Sequence, residues 1–189
     1  MVERLRMVFE VFEGMYRLID KYLAPWLVPT LARLVFVLVL LMYFWGSAYT
    51  KLGDGLFGFI NLSVGAYAQM FPRVMESVGY DASQLNIMYK LVALAGTWAE
   101  FILPLLLLVG LMTRLAAVGM IGFTFVQSFV DITGHGLSET TIGGWLDRAS
   151  GSLIYDQRAF WVFLFIVMIL RGAGPISIDR IFARSNDMV

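Results

Sequence analysis

The residues of this chain that could do chemistry are a few polar side chains within long apolar segments. Glu100 lies near the middle of one such segment, and Gln127 and Asp131 lie one turn apart in the next. A charged or amide side chain at bilayer depth is costly unless it faces a protein interior or water, so such residues are candidates for function by default. Glu100 is the candidate catalytic residue, in the role of proton exchange with a bound ligand.

Other polar residues lie toward one end of the same apolar segments. There they could line a path from the membrane surface to Glu100. The candidate ligand-binding residues are Lys51, Gln127, Asp131, His135, Asp156 and Arg158. Asp131 and His135 have a spacing that could hold a metal on a continuous helix. Because Gly134 makes that continuation doubtful and two ligands are too few, no metal site is predicted.

Each candidate also has a structural interpretation. Glu100 could be protonated, or paired with Lys51, Arg158 or a backbone group, and simply hold helices together. Gln127 and Asp131 could form hydrogen bonds between helices. Lys51 could be an interfacial residue whose amine extends to water. The residues alone leave these alternatives open.

The composition identifies the class of protein. Of the 189 residues, 59% are hydrophobic and 15% are charged, and the mean hydropathy is +0.77, which is typical of an integral membrane protein. The formal net charge is zero, which argues against nucleic acid as a partner. With no cysteine and one histidine, the chain cannot build disulfides, thiolate metal sites or paired-histidine haem ligation. No covalent cofactor is therefore expected.

Four apolar segments are long enough to form membrane-spanning helices. The predicted spans are residues 27–49, 87–109, 115–132 and 155–172. Gly110 is a predicted helix stop and Thr113 a predicted N-cap, so the second and third spans form a tight antiparallel hairpin. Residues 52–86 are too polar to span and are expected to form short amphipathic pieces that could cover a cavity mouth. The predicted fold is all-α, an integral membrane four-helix bundle.

The two ends of the chain lie outside this bundle, which is assigned to residues 27–180. Residues 1–26 are predicted to form an amphipathic interfacial helix, with docking on a partner subunit as the alternative. Pro25 and Pro29 are expected to break the chain before the first span. Residues 181–189 are predicted to be a cytoplasmic tail.

The distribution of basic residues predicts the orientation. Nine lie on the side of the two termini: Arg4, Arg6, Arg17, Lys21, Arg33, Arg114, Arg171, Arg180 and Arg184. Five lie on the other side: Lys51, Arg73, Lys90, Arg148 and Arg158. The positive-inside rule therefore predicts that both termini are cytoplasmic.

Several local motifs resemble the DoxX family of small four-span bacterial and archaeal membrane proteins. Lys51 follows the aromatic end of the first span, Glu100 precedes Pro104 and an apolar run, and Asp156-Gln157-Arg158 opens the last span. The hairpin joint, Gly110-Leu111-Met112-Thr113-Arg114-Leu115-Ala116-Ala117, is similar to the family's G-L-x-T-R-x-A-A. The stretch Gly172-Ala173-Gly174-Pro175-Ile176-Ser177-Ile178-Asp179 resembles the family's glycine-proline and S-[LI]-D ending.

The resemblance implies a component of membrane redox systems, because namesake relatives are linked to quinone reduction coupled to thiosulfate oxidation and others to oxidative-stress complexes. We therefore expect a subunit of the plasma (bacterial inner) membrane that binds a quinone-like lipophilic ligand among its helices. A protein partner or a second copy is also expected, because the chain shows no signature of an Fe–S cluster, haem or nucleotide that would make it an oxidoreductase alone. The alternatives are a non-catalytic scaffold or anchor subunit, and a small permease or assembly factor.

Overall fold

The computed structural model describes residues 2–186, and in that range the secondary structure is helical throughout, without strands. A first helix, α1, runs from Val2 to Lys51. The remaining helices are α2 (Val64–Met70), α3 (Pro72–Ser77), α4 (Ile87–Val109), α5 (Thr113–Thr133), α6 (Glu139–Ile142), α7 (Tyr155–Arg171) and α8 (Ile178–Asn186). One 3-10 turn, Ala82–Gln84, precedes α4.

The four long helices form the predicted bundle. Helix α1 contacts α4 and α7, and α5 contacts the same two helices, so the four close into a ring. Within the described residues, Leu5–Lys51, α4 and α5 are long and apolar enough to cross a membrane. Helix α7 has 17 residues, about 26 Å at ~1.5 Å per residue, and completes the bundle. The chain is therefore a multi-pass membrane protein surrounded by lipid.

The predicted break at Pro25 and Pro29 is wrong. Five helical segments follow one another without interruption from Val2 to Lys51, including π-helical turns at Ile19–Leu23 and Val37–Leu41. Pro25 lies in the first turn of the α-helical segment after the first π turn, where a backbone N–H is not needed. The predicted amphipathic helix at residues 2–26 is therefore continuous with the first span, and residue 1 lies outside the described range.

The face of the bundle that carries both ends of the chain, here called the termini face, is tied together by Arg33. Its Nε donates to the carbonyl oxygen of Leu107 at 3.1 Å and its Nη2 to that of Leu108 at 2.6 Å. Its Nη1 donates to the carbonyl oxygens of Ala173, at 3.0 Å, and Ile176. The last carbonyl oxygens of a helix lack intrahelical donors, and Arg33 supplies donors to two of them in α4. It thereby links α1 to the end of α4 and to the chain that follows α7. The assignment of this face to the cytoplasm stays a prediction.

Asp179, rather than Thr113, caps helix α5. Gly110 ends α4, as predicted, and it does so in the left-handed conformation with φ +68°. Helix α5 then begins at Thr113, and the carboxylate of Asp179 accepts from the backbone N–H of Met112 at 2.7 Å and of Thr113 at 3.0 Å. The predicted N-cap at Thr113 is wrong because a carboxylate 66 residues away takes its place. Helix α8 occupies much of the predicted tail 181–189, of which residues 187–189 lie outside the described range.

Replacing Asp179 by alanine is expected to lower the free energy of unfolding by about 1–2 kcal/mol, because two backbone donors lose their acceptor. The measurement is thermal or denaturant unfolding of the detergent-solubilised protein. Asp54→Ala is the matched control, since Asp54 is exposed on a loop. Equal effects of the two substitutions would contradict the capping role.

Candidate functional site

The segment after α1 covers the face of the bundle opposite the termini. Helix α2 begins after Ser63, whose hydroxyl accepts from the backbone N–H of Ala66. A small apolar cluster holds α2 and α3 against the start of α4; its buried members are Tyr67, Met75, Leu85 and Ala93. The short helices expected in residues 52–86 are present, and the end of α2 forms part of a cavity wall, as one interpretation of this segment allowed.

A cavity of about 470 Å³ lies beneath α2, between α1, α4 and α5. Most of its lining is apolar, and the main apolar contributors are Met70, Phe71, Val92, Phe123, Val126 and Val130. Its polar lining residues are Ser47, Lys51, Gln69, Glu100, Gln127, Asp131 and His135. The lining residues Val92 and Val126 are 53% and 63% exposed, so this part of the cavity is open rather than sealed.

A buried ion pair joins α1 to α4 at this cavity. The Nζ of Lys51 lies 2.7 Å from Oε2 and 3.0 Å from Oε1 of Glu100. The same Nζ donates to the Oγ of Ser47 at 2.6 Å, and that hydroxyl donates to Glu100 at 3.3 Å. Lys51 is 3% and Glu100 4% exposed. The interpretation of Lys51 as a side chain extending to water is therefore wrong, because its amine turns back along α1 toward Ser47 and Glu100.

Helix α5 contributes an amide whose hydrogen-bonding capacity is only half used. The Nε2 of Gln127 donates to the hydroxyl of Tyr43 at 2.7 Å. The Oε1 of the same amide is buried and has no hydrogen-bond partner among the described residues. A buried acceptor without a donor is unfavourable by roughly 1–3 kcal/mol. Because this oxygen is buried, a ligand's donor reaches it only when the amide turns toward the cavity.

A second ion pair joins α5 to α7 beside the part of the cavity wall that α5 forms. Oδ2 of Asp131 lies 2.5 Å from Nη2 of Arg158, and Nη1 of Arg158 donates to the Oγ of Ser128 at 2.8 Å. Arg158 is on α7 and is not part of the cavity lining, so it acts on the cavity only by neutralising Asp131. The lining therefore carries two carboxylates, each with its own cation.

His135 links the end of α5 to the cover of the cavity. Its Nε2 lies 2.9 Å from the carbonyl oxygen of Gln69 on α2. Helix α5 ends at Thr133, so Asp131 and His135 do not share a continuous helix. Across the part of the chain that the structure describes, no three His, Cys, Asp or Glu side chains are grouped closely enough to hold a metal ion.

The structure brings five of the seven predicted site residues together and places the other two, Asp156 and Arg158, outside the cavity lining. Glu100, Lys51, Gln127, Asp131 and His135 all line the same cavity. Asp156, predicted on the approach to the cavity, is not in the lining, since its carboxylate accepts from the backbone N–H of Ser152 at 2.9 Å near the start of α7.

Ser47, Gln69 and Tyr43 belong to the site but were not predicted. The signal for Ser47 was available in the sequence, because it precedes Lys51 by one helical turn. Gln69 contributes to the cavity lining and Tyr43 holds the Gln127 amide. Neither could be found from spacing alone, since both meet residues that are more than 60 positions away.

Comparison with known proteins identifies one family. A family model described as DoxX matches residues 28–131, a stretch that includes the membrane part of α1, all of α4 and nearly all of α5. All the cavity-lining residues except His135 fall within it. Searches of curated proteins and of solved structures found no match.

Proposed function

Because this chain belongs to the DoxX family, as the match over more than half of its length shows, we propose that it serves a membrane redox system by binding a quinone-like lipophilic ligand. The ligand occupies the cavity between α1, α4 and α5. Electrons are exchanged with a protein partner, because a chain without cysteine and with one histidine offers no site for an Fe–S cluster or a bis-histidine haem.

The shape and the charge of the cavity support a neutral, lipophilic ligand. Its volume of about 470 Å³ is within the range of small-molecule sites, and its lining is mainly apolar. The cavity lies among membrane-spanning helices and is not fully enclosed, so a hydrophobic molecule can enter it from the bilayer. Both carboxylates of the lining are already paired with cations, so the cavity offers no uncompensated charge to an ionic solute.

The observation that carries the proposal is the placement of two unlike polar groups in this apolar space. Helices α1 and α4 hold the Lys51–Glu100 pair in the cavity wall, and α5 holds the amide of Gln127, whose oxygen has no partner among the described residues. A quinol hydroxyl can donate to that oxygen when the amide turns toward the cavity. Glu100 is the group that exchanges a proton with the ligand, while Lys51 and Ser47 stabilise its carboxylate form through charge-assisted hydrogen bonds.

A binding measurement on the purified protein in lipid nanodiscs tests this function. Short-chain ubiquinol and menaquinol analogues, kept reduced, are titrated by calorimetry into wild type and Gln127→Leu. The variant is expected to bind at least about tenfold more weakly, because one hydrogen bond in an apolar site is lost.

Gln157→Leu is the matched control, since Gln157 is exposed at the start of α7. It is expected to bind like the wild type. Absence of saturable binding to the wild type, or equal affinities of Gln127→Leu and the wild type, would contradict the proposed site and favour a scaffold.

A further inference from the structure

A second concave site lies on the termini face, away from the cavity just described. It is a groove of about 490 Å³ between the α4–α5 joint and the chain that follows α7. Its lining comes from residues 112–115, 172–174, 177, 179, 180 and 183. Helices α4, α5 and α7 all begin or end beside it, so the groove lies where the hydrocarbon core gives way to lipid headgroups.

The groove presents cations that are free to bind an anion. Arg114 and Arg180 both line it, and neither forms a salt bridge with any side chain that the structure describes. The one carboxylate in the lining, Asp179, has its two oxygens occupied by the backbone N–H groups of Met112 and Thr113. Arg171 directly precedes the groove residue Gly172 and adds a further positive charge at this level.

Apolar side chains surround these cations. Met112 and Leu115, at the groove itself, are 53% and 62% exposed. On α8, Ile181 and Phe182 are 68% and 60% exposed beside Arg180. A free phosphate ion would contact the arginines but not the apolar side chains around them. A molecule with an anionic head and hydrocarbon chains would contact both.

We propose that the groove binds the phosphate headgroup of an anionic phospholipid. Arg114 and Arg180 contact the phosphate, and the acyl chains lie along Leu115 and the exposed side of α5. Helix α8 rests on the membrane surface with Ile181 and Phe182 in the apolar layer. Asp179 on α8 contacts the start of α5, and the groove lies between these two helices. A lipid bound in the groove therefore also stabilises the contact between them.

The test is a lipid titration followed by native mass spectrometry of the detergent-solubilised protein. Phosphatidylglycerol and phosphatidylcholine with identical acyl chains are compared on the wild type, on Arg114→Gln, on Arg180→Gln and on the double variant. Each single substitution is expected to weaken phosphatidylglycerol binding about fivefold and the double substitution about 25-fold, since each basic side chain at an anionic lipid surface contributes a factor of this size. The binding of phosphatidylcholine is expected not to change.

Two controls keep the result interpretable. Arg73→Gln removes an exposed arginine on α3, on the opposite face, and is expected to leave phosphatidylglycerol binding unchanged. Arg114→Lys with Arg180→Lys retains the charge and is expected to retain most of the binding, which guards against loss through misfolding. Equal binding of the two lipids by the wild type, unchanged binding by the double glutamine variant, or displacement of the lipid by millimolar inorganic phosphate would overturn the proposal.

Discussion

Glu100→Leu is expected to lower the free energy of unfolding by about 3–5 kcal/mol, because it leaves the ammonium of Lys51 buried without its counter-ion. The two groups are 2.7 Å apart and almost fully buried, so neither can turn to water when the other is removed. The measurement is equilibrium unfolding in mixed micelles. Glu76→Leu is the control, since Glu76 is exposed on α3.

The double variant Lys51→Met with Glu100→Leu separates stability from function. Removing both charges leaves no unpaired ion, so most of the lost stability is expected to return. Quinol binding is expected to be weakened in this double variant, because the proton-exchanging carboxylate and its partner are absent. A double variant no more stable than Glu100→Leu would contradict the account of the ion pair, and a double variant that binds quinol normally would contradict its role in the site.

The second large effect is expected at Arg33. Arg33→Met removes four hydrogen bonds from one guanidinium to carbonyl oxygens at the end of α4 and after α7. The expected loss in unfolding free energy is about 2–4 kcal/mol, since several backbone acceptors lose a charged donor at once.

Arg33→Lys is expected to recover only part of this loss, because one amine cannot reproduce the planar fork of five donors. Arg73→Met, at an exposed position, serves as the control and is expected to change stability by less than about 0.5 kcal/mol. A lysine variant as stable as the wild type would show that charge, and not the geometry of the guanidinium, holds the termini face together.

The membrane spans could be predicted from the sequence because they depend on local composition. Helix α4 has the predicted bounds, and the predicted α5 and α7 differ by at most two residues at either end. The grouping of Glu100 with Gln127 also followed, since a short joint forces two helices to run antiparallel and sets which depths face each other. The structure adds that both residues line one cavity.

What could not be predicted depends on contacts between distant parts of the chain. Arg33 meets carbonyl groups 74 to 143 positions away, and the cap of α5 comes from Asp179. The prediction of a break at Pro25 failed for another reason. Proline usually ends a helix, but a π turn directly before it places the missing N–H in the first turn of a new α-helical segment. Asp156 was assigned to the site by its depth alone, while the structure shows it in a local hydrogen bond.

The two faces of the bundle therefore have different roles in this account. On the termini face, Arg33 and Asp179 fix how the helices end, and the groove beside them offers cations to the lipid surface. On the opposite face, α2 closes over a largely apolar cavity whose charges are balanced in pairs. A neutral ligand from the bilayer fits the second environment, and an anionic headgroup fits the first.

Photoaffinity labelling with an azido-quinone in nanodiscs tests the central claim most directly, because peptide mass spectrometry identifies where the ligand lies. If a quinone occupies the cavity, labelling is expected in the cavity-wall segments 69–71 and 123–130. This labelling is expected to be suppressed by excess short-chain quinone and to be absent from the variant Lys51→Met with Glu100→Leu. Labelling spread over lipid-facing side chains such as Phe160 and Phe163, and insensitive to competing quinone, would contradict it.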